Sequence, residues 1–81
     1  GEAILLVKPQ FECGREDVGQ GGIVRDPAIH RRVLADIWAF FAETELAPQA
    51  WCESPILGGE GNKEFLLRLV RFGTPPPFPE G

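Results

Sequence analysis

Apolar and polar positions along this chain fall into three stretches with different periods. The first, Ala3-Ile4-Leu5-Leu6-Val7, is apolar without alternation. That pattern predicts a strand covered on both faces, as parallel strands of α/β proteins are. Lys8-Pro9 ends it, because proline donates nothing to a sheet ladder. A lysine is therefore expected at the carboxyl end of a buried parallel strand, where open α/β sheets bind their ligands.

The second stretch has helical spacing. Asp26-Pro27 reads as an N-cap followed by proline in the first turn. Ile29, Val33, Leu34, Ile37, Trp38, Phe40 and Phe41 then recur as one broad apolar face, with Arg32, Asp36 and Glu43 largely opposite. The helix is expected to run to about Glu45, and Pro48 bars much extension. It forms the crossover of a strand–helix–strand unit, right-handed by rule. Between Cys13 and Asp26 lies a long loop with Gly14, Gly19, Gly21 and Gly22, of the kind that is often functional or mobile.

The third stretch is ambiguous. Gln49 to Glu53 reads as a short strand stopped by Ser54-Pro55, and a glycine-rich turn leads into Glu64-Phe65-Leu66-Leu67-Arg68-Leu69-Val70-Arg71-Phe72. Asn62 as N-cap and Gly73 as stop suit a helix of about three turns. Phe65, Leu67 and Leu69 against Leu66, Val70 and Phe72 suit a buried strand equally. Residues 73–81, with Pro75, Pro76, Pro77 and Pro79, carry no core-forming pattern and are expected to be extended or disordered, leaving 1–72 as the folded part.

Length and charge narrow the functional classes. Eighty-one residues allow one small domain, and a chain that begins with glycine and holds no methionine reads as a piece of a longer protein. No apolar segment approaches the ~20 residues that span a bilayer. Two cysteines, Cys13 and Cys52, make neither a disulfide framework nor a metal site, so a cytoplasmic setting without metal is expected. The net charge of −4 disfavours a nucleic-acid module, but its distribution softens that objection. Val33 to Asn62 holds five acidic residues and no basic one, whereas the cations sit toward both ends. Lys8, Arg15, Arg25 and Lys63 are the expected contacts to a nucleic acid.

Each candidate has a plainer reading beside it. Lys8 acts as a base when neutral and positions an anion when charged, or it is a strand-end lysine reaching solvent. Glu64 is a cap, a surface charge or a site carboxylate. Gly14-Arg15-Glu16-Asp17-Val18-Gly19-Gln20 has the glycine spacing of a phosphate-binding loop but lacks its lysine and hydroxyl residue, so that chemistry is rejected. Its glycines instead allow positive φ in a loop that folds over a ligand or partner, or make a flexible connector. His30 has no metal-ligating companion and is expected at the surface or in a capping role. Trp38, Phe40 and Phe41 are read as core rather than as platforms for bases.

Five blocks carry a resemblance: Val7-Lys8-Pro9-Gln10-Phe11-Glu12, Gly14-Arg15-Glu16-Asp17-Val18-Gly19, Gly21-Gly22-Ile23-Val24-Arg25-Asp26-Pro27, Ser54-Pro55-Ile56-Leu57-Gly58 and Gly61-Asn62-Lys63-Glu64-Phe65-Leu66. In these the chain resembles the carboxyl-terminal half of the methyltransferase domain in the TlyA family, proteins named both as haemolysins and as FtsJ-like ribosomal RNA 2′-O-methyltransferases. The resemblance implies an α/β, Rossmann-like fold using S-adenosylmethionine, of which this chain would be the C-terminal portion. It implies that the last apolar segment is a strand, antiparallel and inserted between the other two. It also implies a Lys–Asp–Lys–Glu tetrad at the 2′-hydroxyl, in which Lys8 matches the second lysine and Glu64 the glutamate. The donor-binding turn, the first lysine, the aspartate and an RNA-binding domain would lie upstream, so the chain is expected to be inactive alone. The partners implied are ribosomal RNA or a ribosomal subunit and the missing amino-terminal half. A membrane-active haemolysin and a non-enzymatic binding fragment are the alternatives. Three strands under one helix would leave a sheet face and an edge uncovered, so self-association is a further expectation.

Overall fold

The computed structural model describes residues 1–14, 16, 18–56 and 61–79. The elements are β1 (Glu2–Val7), α1 (Pro9–Glu12), α2 (Pro27–Ala42), β2 (Leu46–Glu53) and β3 (Phe65–Arg71), with a short 3-10 turn at Gln20–Gly22. The strands form one sheet in the order β1-β3-β2. β3 lies in the middle and pairs antiparallel with both neighbours. The ambiguous last segment is thus a strand, in the inserted antiparallel position that the resemblance implies.

The sheet differs from expectation at its first strand. β1 pairs only with β3, antiparallel, so it is an edge strand rather than a member of a parallel ladder. Nor is it covered on both faces. Leu5 and Val7 point into the core, whereas Ile4 is 62% exposed and Leu6 45%. A sheet with one helical layer buries alternate side chains only, whatever the apolar content of the strand. The expectation of an uncovered face and edge is met.

α2 supplies that one layer. The Asp26 carboxylate accepts a hydrogen bond from the Ala28 amide at 2.9 Å, and Pro27 occupies the first turn. Val33, Leu34 and Trp38 pack against Val7, Phe65, Leu67 and Leu69 to form the core. The helix ends at Ala42, earlier than expected, because Thr44 turns the chain: its hydroxyl donates to Phe41 O at 2.8 Å. That early stop lets β2 begin at Leu46, three residues before the expected Gln49, with Pro48 at a bulge where the register shifts. An edge strand with a bulge tolerates a proline. Phe40, expected in the core, faces solvent.

Two further features go beyond expectation. Ahead of the long loop expected from Cys13 to Asp26, the sequence pattern assigns no element to Pro9–Glu12, where α1 forms directly after Lys8 with Pro9 in its first turn. The proline-rich tail is extended, yet docked. Phe78 packs against the core, edge-on to Trp38 and stacked on Trp51.

Candidate functional site

The carboxyl ends of β1 and β2, the start of β3 and the start of α2 meet at one end of the sheet. Val7 is paired with Phe65 in the ladder, so Lys8 and Glu64 follow at the next position off its end. Sequence neighbours of a register pair are placed together by strand geometry, although 56 positions of chain order separate them. Lys8 is half-buried, with its ammonium 5.8 Å from the Phe11 ring centre. Glu64 is only 8% exposed, and its carbonyl accepts the Ser54 amide at 2.8 Å, which ties the ends of β2 and β3 together. A half-buried lysine and a buried glutamate thus flank the same end of the β1–β3 ladder, which makes them a candidate site.

The glycine-rich loop is latched to this end by residues that sequence reasoning missed. Asn62 is buried; its Oδ1 accepts the Val24 amide at 2.9 Å and its Nδ2 donates to Gly22 O at 2.9 Å. His30, expected at the surface, is buried, and its Nε2 donates to Val24 O at 2.8 Å. Both main-chain groups of the buried Val24 are thereby satisfied by side chains, as burial requires. The turn that permits this needs positive φ, supplied by Gly21 (80°) and Gly22 (77°). The signal for the latch was present in Asn62, next to Lys63-Glu64, but its partners lie 38 and 40 residues away.

The remaining candidates sit around this end. Lys63 approaches Glu53 at 3.6 Å with both side chains half-exposed, an ion pair worth less than about 1 kcal/mol and easily exchanged for another anion. Arg25 is exposed just before the α2 cap. Arg15 lies outside the described residues. A pocket of about 310 Å³ beside Lys63 is lined by His30, Arg31, Trp51, Glu53 and Phe65. A second groove of about 450 Å³ runs from Lys8 along the open flank of β1, between Leu6 and Phe40. Among the described residues, no group of His, Cys, Asp and Glu side chains could hold a metal ion, and no helix is long and apolar enough to cross a membrane.

Comparison with known proteins identifies the class. The sequence profile of FtsJ-like methyltransferases matches residues 2–71, and the chain belongs to that family. YqxC of Bacillus subtilis, which carries an rRNA methyltransferase name, is 52% identical over 68 residues, covering 84% of this chain and 24% of its own length. The 16S/23S rRNA (cytidine-2'-O)-methyltransferase TlyA of Mycobacterium tuberculosis is 37% identical over 68 residues, with 84% and 25% covered. A solved hemolysin-named protein from Streptococcus thermophilus superposes with a TM-score of 0.84 at 45% identity, covering 93% of this chain and 27% of that one. The resemblance read from the motifs is therefore borne out. This chain spans about a quarter of the length of the curated relatives it matches.

Proposed function

We propose that this chain is the acceptor-side, C-terminal portion of a Rossmann-like, S-adenosylmethionine-dependent ribosomal RNA 2′-O-methyltransferase. The observation that carries the reading is the placement of Lys8 and the buried Glu64 just beyond the Val7–Phe65 end of the ladder, in a chain of the FtsJ-like family. A ribose 2′-hydroxyl is a poor nucleophile, and Lys8 makes it a better one by taking its proton or by stabilising the alkoxide. Glu64 orients the lysine or the ribose. Arg15, Arg25 and Lys63 are the candidate contacts to the RNA backbone, where cations set the register of binding.

The family implies a methyl donor, but the residues described here do not cradle one. The turn at Gly19–Gly22 is folded on itself: Gly22 O is taken by Asn62, and a Cβ on Gly19 would meet Ile23 O at 2.8 Å. Its glycines serve internal packing. We therefore place the donor site in the rest of the protein and derive no step through it, and the chain alone is inactive on this reading. The open flank of β1, with its groove reaching Lys8, is the surface against which that remaining part packs. A ribosomal RNA substrate is the support for proposing a cytoplasmic location for the working protein. Direct membrane lysis fits poorly, because Val33, Leu34 and Trp38 of α2 are committed to the sheet.

The test is methyl transfer from labelled S-adenosylmethionine to ribosomal RNA by the full-length protein that contains this segment. Lys8→Ala and Glu64→Gln are each expected to lower turnover about 100-fold or more. Unchanged turnover in either variant removes that residue from the mechanism, and transfer by the 81-residue chain alone overturns the division of labour.

A further inference from the structure

The tail from Thr74 to Pro79 is held in an unusual way. Prolines lack an amide hydrogen, so a proline-rich segment presents carbonyls that nothing local can satisfy. Here three side chains reach those carbonyls. Gln49 Nε2 donates to Thr74 O at 3.2 Å, Trp38 Nε1 to Pro76 O at 3.1 Å, and Trp51 Nε1 to Pro79 O at 3.0 Å. Phe78 fills the space between the two indoles, 5.7 Å from the Trp38 ring and 6.3 Å from the Trp51 ring. Beyond Gly73, no main-chain pairing among the described residues holds the tail to the sheet.

Indole donors, a side-chain amide and an aromatic slot, all aimed at the carbonyls of a proline-rich stretch, are the recognition mode of proline-peptide grooves rather than of secondary structure. The spacing agrees. A polyproline II helix repeats every three residues, and Pro76 and Pro79, which take the two indole bonds, are three apart. Trp38, Gln49 and Trp51 lie within the family match to residues 2–71, whereas Thr74 to Pro79 lie outside it. The chain turns from the sheet into the tail at Phe72, whose φ of 60° is left-handed and whose amide donates to Glu45 O at 2.6 Å.

We propose that the surface formed by Trp38, Gln49 and Trp51 is a docking site for a proline-rich peptide segment, and that residues 74–79 are its resident ligand. The site recognises the segment and not its covalent link, so it accepts the same segment supplied as a separate molecule. This inference does not depend on the methyltransferase reading.

The sequence contains two tryptophans, so the labelled chain gives two indole N–H signals, which a Trp51→Phe variant assigns. In the 81-residue chain carrying Phe78→Ala, both signals are expected to move from their wild-type positions as the tail loosens. Adding the synthetic peptide Gly-Thr-Pro-Pro-Pro-Phe-Pro-Glu should return both toward those positions, saturably, while a peptide with alanine for phenylalanine should not. If the Phe78→Ala chain loses its amide dispersion, Phe78→Leu replaces it. Indole signals that stay at wild-type positions in the variant, or that ignore the peptide in a folded chain, overturn the proposal. So does unfolding of both variants, which would make the tail an inseparable part of the core.

Discussion

The two flanks of α2 are closed differently. On the β2 side, Trp51, Trp38 and Phe78 fill the angle between helix and sheet, and the tail lies over them. On the β1 side the angle is an open groove lined by Leu6, Ile37, Phe40 and Phe41, leading to Lys8. The strand sequences point the other way: Ile4-Leu5-Leu6-Val7 on the open flank is more apolar than Leu46-Ala47-Pro48-Gln49-Ala50-Trp51 on the closed one, which owes its cover to a segment without a core-forming pattern. An apolar run states how much surface a strand must hide. It does not state whether the cover comes from the same stretch of chain. Here the flank beside the candidate catalytic lysine is the uncovered one, the surface proposed above for packing against a further part of the protein.

Substitutions sharpen that contrast, all read by urea unfolding of this chain except where stated. Leu67→Ala, at a fully buried central position, is expected to cost about 3 kcal/mol or more, whereas Ile4→Ala on the bare face costs no more than about 0.5 kcal/mol. A large effect at Ile4 would mean that copies of the chain cover that face in solution. Asn62→Ala leaves the Val24 amide without its partner and is expected to cost about 2 kcal/mol, with loss of hydrogen-exchange protection at Val24. Asp26→Ala removes the helix cap and should cost about 1 kcal/mol. The smallest effect has the opposite sign. Phe72→Gly relieves a left-handed backbone at an exposed side chain and is expected to stabilise by about 0.5 kcal/mol; destabilisation would show that Phe72 packs more than its exposure indicates.

The candidate site was legible to a limited depth. Lys8 stood out because proline follows a strand, and Glu64 because it precedes one, so both positions were visible as strand ends. Their proximity was not visible, since the last segment read equally as helix or strand. Only an antiparallel ladder with Val7 opposite Phe65 brings them to the same end of the sheet. His30 was misplaced for a related reason. Two arginines beside it point to solvent, but helix geometry turns His30 inward toward the Phe65 ring, 5.4 Å away, and Val24 O satisfies it there. Asn62 has the composition of a cap and works as a latch, because the group it satisfies belongs to a loop far off in sequence.

What the sequence by itself determined is local. The Asp26-Pro27 start and the apolar face of α2 depend on residues three and four apart, and the extended character of β1 on a single apolar run closed by Lys8-Pro9. Interactions of that range are written in neighbouring positions. Tertiary structure alone decided that β1 is an edge, that His30 is buried, that Asn62 binds Gly22 and Val24, and that a proline-rich tail closes one side of the core. Each of these joins groups whose meeting depends on how the whole chain closes. A carbonyl or amide without a partner accepts whichever donor or acceptor the fold brings within reach.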